Sequence, residues 1–216
     1  MSLTESQAFL VLNALPGIGP VNVRRLLDQF GDDPRLVLEA PANALEQVKG
    51  VGSKISGAVS GWSELVDLER EESRLAHANA RFVTCRDDHY PALLRELYDP
   101  PIGLYQKGDY IFDKPAIAMV GSRRTTLYGQ KVAKTLAGEL VRAGFCVVRG
   151  LARGIDTAAH EGAIEAGGPT VGVLGTGMDI IYPPENFDLY RAVKLHGAVV
   201  SEFPFGRRAD RQSFAM

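Results

Sequence analysis

The sequence predicts an α/β protein in which a Rossmann-like, mostly parallel sheet flanked by helices follows a small all-helical domain. Three observations lead to this fold class. The chain of 216 residues exceeds the usual size of a single domain. Residues 1–78 show helical spacing of apolar side chains without strand signals, and from residue 79 short β-branched runs alternate with helical stretches. We therefore expect two domains, 1–78 and 79–216.

The first domain is predicted to be a helix-hairpin-helix or SAM-like module. Segments 15–19 and 48–52 each place an apolar residue between two glycines, and the glycines recur 33 residues apart. Hairpins of this kind can hold a DNA phosphate on exposed backbone amides. However, residues 1–80 hold 7 Lys and Arg against 11 Asp and Glu. Because DNA affinity comes mainly from basic side chains, we favour the alternative that these hairpins serve folding or protein contacts.

The second domain is predicted to contain six strands and three helices. Its helix at 125–143 repeats apolar residues in two series, which predicts a buried face, and Gly144 suits the position after a helix end. The two series are Val132, Leu136, Leu140 and Ala133, Ala137, Val141. The predicted strands are 81–84, 102–106, 116–120, 145–148, 170–174 and 198–201, and the remaining helices are 156–166 and 185–196.

Two loops of the second domain carry the clearest functional signal. In open α/β sheets, ligands bind beyond the carboxyl ends of the strands. The loops at 121–126 and 149–156 follow neighbouring strands in the sequence, and both combine glycine with arginine just before a helix. Residues 121–153 hold seven basic residues and one acid. Since helix starts and arginines attract anions, the sequence predicts a groove for phosphate groups.

Signals for an enzyme are weak. The sequence lacks the Walker A pattern, and Gly175 and Gly177 are not followed by the third glycine of a dinucleotide-binding motif. Asp156 and His160 could form an acid–base pair, although a helix-capping Asp and a packed His are the commoner reading. The four histidines and two cysteines show no metal-ligand spacing. We therefore expect no catalytic residue, no cofactor and no metal.

Composition predicts a cytoplasmic protein. Hydrophobic residues make up 45% of the chain and charged residues 23%, as in globular domains. No apolar run reaches the roughly 18 residues that a membrane-spanning helix needs, and the first residues do not form a signal peptide. Membrane association is therefore not expected.

A series of motifs in the second domain resembles the DNA-processing protein A (DprA/Smf) family. The motifs occur in the family's order over about 100 residues, and an upstream Tyr-Pro and Pro-Pro segment at 90–105 also fits. They are Val120–Arg123 with Tyr128–Gly129, Gly150–Asp156 with Ala159–His160, Gly177–Asp179 with Tyr182–Pro183, and Ser201–Pro204 with Gly206.

This resemblance implies a non-enzymatic protein that binds single-stranded DNA, protects incoming DNA and loads the RecA recombinase in natural transformation. The family's DNA-contacting positions fall here on Gly121, Ser122, Arg123 and Arg153. From the residues themselves we add four candidates. Amides at Gly150 and Gly154 would donate hydrogen bonds to phosphates, and the Thr125 hydroxyl would position the DNA backbone. The Tyr182 ring would stack on a base. The full candidate DNA site is Gly121, Ser122, Arg123, Thr125, Gly150, Arg153, Gly154 and Tyr182.

Two alternative functions remain open, and the chain differs from the family in one respect. A nucleotide phosphoribohydrolase-type enzyme also uses Gly-rich strand-end loops, but its Pro-Gly-Gly motif is missing; a protein-docking scaffold is the other alternative. Family members continue beyond the Phe214 position with strands that complete the sheet and the surface for a homodimer, whereas this chain stops at Met216. We therefore expect the second domain to be truncated at its C-terminal end.

Overall fold

The computed structural model describes residues 3–208. The chain divides into two compact units: the first contains the residues up to His77 together with Phe82–Leu104, and the second contains Ala78–Arg81 and the residues from Tyr105 onward. Within residues 3–208, none of the helices is both long enough and apolar enough to cross a membrane. The predicted domain boundary between residues 78 and 79 stays a prediction.

Within residues 3–77, the first unit contains seven helices. Thr4 caps the first helix through a capping box with Gln7, and Pro20 begins the second, where a missing N–H costs nothing. Both hairpin turns contain a glycine at positive φ, Gly17 and Gly50. The helices are α1 (Glu5–Ala14), α2 (Pro20–Gln29), α3 (Pro34–Glu39), α4 (Ala42–Leu45), α5 (Ser53–Ser60), α6 (Trp62–Leu65) and α7 (Leu68–His77).

Apolar side chains from these helices form one core. Phe9, Leu12, Leu26 and Leu45 are among its fully buried members, and Ile102 joins it from the later segment of the same unit. That segment is fixed by Tyr90, a buried residue whose hydroxyl donates to the Pro101 carbonyl at 2.7 Å. These elements agree with the helical spacing found in residues 1–78, while the helix-hairpin-helix or SAM-like assignment stays a prediction.

The sheet has six strands in the order β1-β2-β6-β5-β4-β3. Strands β3, β4, β5 and β6 pair in parallel, and β2 pairs with β6 in the antiparallel direction. This confirms the predicted mostly parallel sheet. The strands are β1 (Ala80–Thr84), β2 (Gly103–Lys107), β3 (Ala116–Ala118), β4 (Cys146–Arg149), β5 (Thr170–Leu174) and β6 (Ala198–Ser201).

Helices of the α/β part connect successive parallel strands, as predicted. A short helix, α8 (Ala92–Arg95), belongs to the first unit, and a 3-10 turn at Pro184–Asn186 precedes the last helix. The connecting helices are α9 (Leu127–Arg142), α10 (Ile155–Glu165) and α11 (Phe187–His196). Gly144 follows α9 with a φ of +92°, which confirms the predicted helix end.

Two of the six residues predicted for the buried face of α9 are exposed. Ala133 and Ala137 are buried as predicted, but Val132 and Leu136 are 45% and 49% exposed. The reason is a close contact between α9 and α10 at Gly162, where an added Cβ would lie 2.1 Å from the Lys134 carbonyl oxygen. Only small side chains fit between two helices this close, so Ala133 and Ala137 are buried there and Val132 and Leu136 are exposed, while Leu140 and Val141 pack against the core from its edge.

Parallel strand pairing determines where the site lies. The register places Ile117 beside Val147, and Gly172 beside Val199. The carboxyl ends of β3, β4, β5 and β6 therefore meet along one edge of the sheet, with their following loops side by side.

Candidate nucleic-acid interface

The loops after β3 and β4 are in direct contact, as predicted. The Ile155 amide, at the start of α10, donates to the Ser122 carbonyl at 3.2 Å. The Arg149 guanidinium donates to the Gly121 carbonyl at 3.3 Å. Two hydrogen bonds from the β4 side therefore hold the backbone of the β3 loop against the N-terminus of α10.

Two glycines allow this contact. Gly154 has a φ of +81°, and an added Cβ would lie 2.4 Å from the Ser122 carbonyl oxygen. At Gly121 the same atom would lie 2.5 Å from Cγ1 of Ile155. A side chain at either position would force the two loops apart, which explains why the sequence has glycine at both.

The N-terminus of α10 faces the junction of the two loops. Its N-cap is Gly154, which has no side chain to accept a hydrogen bond from the first turn. Backbone N–H groups and the positive end of the dipole favour an anion at such a helix start. The role of the Gly154 amide as a phosphate donor stays a prediction.

Arg149 and Asp156 form a largely buried ion pair that the sequence analysis did not assign to the site. The side chains are 17% and 5% exposed, and Arg149 Nε donates to the Asp156 carboxylate. Burial raises the pKa of Asp156, against the opposing effect of the nearby guanidinium. Because Arg149 also binds Gly121, this pair links both loops. The sequence places Arg149 at the end of a strand and Asp156 in the first turn of the next helix, but it does not show that the two side chains pair.

Arg123 and Arg153, the two predicted phosphate ligands, are both exposed on these loops. The backbone carbonyl of Arg123 lies next to Gly154, so the two arginines come from chain segments in contact. The Arg153 side chain is 58% exposed and donates through Nε to Glu185, which is 51% exposed. This hydrogen bond raises the pKa of Arg153 and lowers the pKa of Glu185.

The predicted hydroxyls serve mainly to shape the β3 loop. Ser122 Oγ accepts from the Arg124 amide at 3.0 Å and donates to the Arg124 carbonyl at 2.7 Å. Thr125 donates to the Thr126 carbonyl at 3.3 Å. Thr126, which the sequence analysis did not single out, caps α9 by accepting from Gly129. Ser122 and Thr125 therefore stabilise a tight turn that presents Arg123 to solvent.

Gly150 is fixed by a buried histidine. Its carbonyl accepts a hydrogen bond from His160 Nε2 at 2.9 Å, while His160 Nδ1 lies 2.7 Å from the Thr170 hydroxyl. Burial lowers the pKa of His160 to about 4, so the ring is neutral at pH 7. His160 and Asp156 form hydrogen bonds with different residues, which agrees with a packed His. The capping expectation for Asp156 is wrong, because Gly154 is the N-cap.

Tyr182 follows β5 and is 46% exposed. The loops after β5 and β6 are tied together near it: the Gly177 amide donates to the Arg207 carbonyl and the Gly206 amide to Asp179 Oδ1, both at 2.8 Å. A carboxylate that accepts a backbone amide holds a loop in place. The loop after β5, which carries Tyr182, thus has a fixed shape beside the loops after β3 and β4.

A groove of about 510 Å³ opens between α9 and α10 next to Arg153. Lys134, one of its lining residues, is paired with acidic side chains of α10, since its Nζ lies 2.6 Å from Glu165 and 3.7 Å from Glu161. Lys131 also lines the groove. Among residues 3–208, no three His, Cys, Asp or Glu side chains come together in a way that could hold a metal ion.

Several known proteins are similar to this chain. Residues 81–216 match the sequence model of a family described as DNA recombination-mediator protein A. The chain is 33% identical over 219 residues to Protein Smf of Synechocystis, covering 99% of this chain and 55% of that protein. It is 39% identical over 129 residues to the DNA processing protein DprA of Bacillus subtilis, covering 59% of this chain and 43% of that protein.

Two solved structures are also similar. The X-ray structure of DNA processing protein A from Streptococcus pneumoniae superimposes with a TM-score of 0.78 at 27% identity, covering 99% of this chain and 72% of that one. A structure that describes the single-stranded DNA binding mode of DNA processing protein A from Helicobacter pylori gives 0.56 at 31% identity, covering 63% and 62%. The chain spans about half the length of its named sequence relatives.

Proposed function

The chain belongs to the DNA recombination-mediator protein A family, and from this premise we propose that it binds single-stranded DNA at the loops after β3 and β4. The observation that carries the proposal is the contact between these loops, which brings Arg123, Arg153 and the N-terminus of α10 to one edge of the sheet. The Helicobacter pylori relative, whose single-stranded DNA binding mode has been described, supports the same ligand.

The proposed binding mode is electrostatic. Arginine side chains and backbone amides are suited to phosphate oxygens, and contacts to phosphates carry no sequence information. Tyr182 would add a stacking surface, which every base can use. The site would therefore accept any sequence, and its proposed task is to hold a strand rather than to cut or join it.

We extend the proposal to the wider role that the family implies. The bound strand would be protected and passed to the RecA recombinase during natural transformation, by a cytoplasmic protein that forms homodimers. The helical residues 1–78 would contribute little to DNA affinity because their half of the chain is net acidic, and residues 79–216 would provide the site.

A titration with a fluorescent oligonucleotide of mixed sequence tests the proposal. We expect saturable binding at low salt, with an affinity for single-stranded DNA that changes little with base composition. The logarithm of the binding constant should fall linearly with the logarithm of salt concentration, with a slope of about −0.7 per phosphate contacted. Binding that is insensitive to salt would refute the electrostatic site, and release of adenine from AMP would favour the phosphoribohydrolase alternative.

A further inference from the structure

Glu185 is held in a fixed position beside Arg153. The two residues lie 32 positions apart in the sequence, and the carboxylate accepts a hydrogen bond from Arg153 Nε. The neighbouring residue, Asn186, is buried, and its amide donates to the Leu151 carbonyl at 2.8 Å and to the Thr157 hydroxyl at 3.2 Å. This attachment fixes the 3-10 turn on the β4 loop and places Glu185 next to Arg153.

A carboxylate and a phosphate use the same donors of a guanidinium group. Both present oxygen atoms to the planar N–H fork of arginine, with the phosphate ester carrying a similar charge. A DNA phosphate that approaches Arg153 therefore meets a position already occupied by an anion. It must displace the Glu185 carboxylate or share the guanidinium with it, and either arrangement weakens the contact.

We propose that Glu185 is an internal competitor for the phosphate position at Arg153, and that it sets the affinity of this part of the site. The inference rests on the proposed function, since it assumes that Arg153 binds DNA. In the free protein the Glu185 carboxylate accepts a hydrogen bond from the Arg153 guanidinium, and in the complex a DNA phosphate takes its place. Arg153 thereby discriminates a phosphate chain, which has further contacts at Arg123, from isolated small anions, which do not.

The exchange should change the affinity and not the salt slope. The ions released on binding are the cations condensed on the DNA phosphates, and the phosphate that meets Arg153 releases them whether or not Glu185 is displaced. Removing the charge of Glu185 should therefore raise the affinity at each salt concentration and leave the slope nearly unchanged.

The test compares the Glu185→Gln variant with a matched control, Glu139→Gln. Glu139 also forms an exposed ion pair with an arginine, Arg142, but on α9 away from the strand ends. Both variants remove one negative charge from the full chain. At low salt we expect Glu185→Gln to bind the mixed-sequence oligonucleotide about two- to fivefold more tightly, the range for an exposed ion pair. Glu139→Gln should bind nearly as the unmodified protein does.

A double variant separates competition from a general charge effect. In the Arg153→Ala background, Glu185→Gln should lose most of its effect on affinity, because the contested guanidinium is absent. An equal gain with and without Arg153, or no gain from Glu185→Gln over the control, would overturn the inference while leaving the proposed function intact. Absence of oligonucleotide binding by the unmodified protein would refute the proposed function itself, and the inference with it.

Discussion

The neutral His160 ring predicts a specific loss of stability in acid. The side chain is fully buried, its Nε2–H donates to the Gly150 carbonyl, and its pKa is lowered to about 4. In the unfolded chain the pKa returns to about 6.5. A histidine with a lowered folded-state pKa contributes stability above the unfolded value, and this contribution is lost as the pH falls from about 6.5 toward 4.

The size of the loss follows from the two pKa values. Between about pH 7.5 and pH 5 the unfolded chain takes up a proton that the folded protein does not, which removes about 2 kcal/mol of the free energy of unfolding. Urea unfolding at both pH values measures this loss of stability. The proteins compared are the unmodified protein and the variants His160→Gln and His89→Gln. His89 is exposed and serves as the matched control.

The pH-dependent loss should be about 2 kcal/mol smaller in His160→Gln than in the unmodified protein and in His89→Gln. Equal losses in all three proteins would refute the assignment of a buried, neutral ring. A His160 imidazole resonance that titrates near its ordinary pKa in NMR would refute it independently.

Two further predictions concern the junction of the loops. Gly154→Ala should lower stability by about 2–6 kcal/mol, because positive-φ strain and overpacking against Ser122 each contribute about 1–3. Gly144→Ala, where φ is also positive but no atom lies within 4 Å of the added Cβ, should cost less in the same urea titration. Arg149→Met should lower stability by about 3–5 kcal/mol by leaving Asp156 buried without its partner, and Arg149→Met combined with Asp156→Asn should recover much of the loss.

The fold could be predicted because its signals are local. The β-branched run at Thr170–Leu174 is bounded by glycine and proline, and its predicted limits agree with β5. The buried face of α9 shows where prediction from local signals fails. The apolar spacing predicted burial of both Leu136 and Ala137, but the close approach of α10 at Gly162 leaves room only for the alanine, and Leu136 is exposed. The sequence of α9 by itself does not show this approach.

The site was predictable to the level of its loops. Glycines and arginines after consecutive strands indicated an anion groove at Arg123 and Arg153, and parallel pairing brings those loops together. The contact between Arg153 and Glu185 was not predictable, since it depends on the buried attachment of Asn186. The linking role of Arg149 was missed because a strand-end arginine does not reveal whether its partner is a ligand or a buried carboxylate.

Substitution of the loop arginines tests the account's central claim most directly. Oligonucleotide affinity is measured at low salt for Arg123→Ala, Arg153→Ala and Arg142→Ala, the last changing an exposed arginine of α9 that pairs with Glu139. We expect each loop substitution to weaken binding about tenfold or more, as for loss of one charge-assisted contact, with little change in thermal stability. Arg142→Ala should bind nearly as the unmodified protein does. If Arg142→Ala weakened binding as much as the loop substitutions, the strand would run along α9 and the site at the strand ends would be wrong.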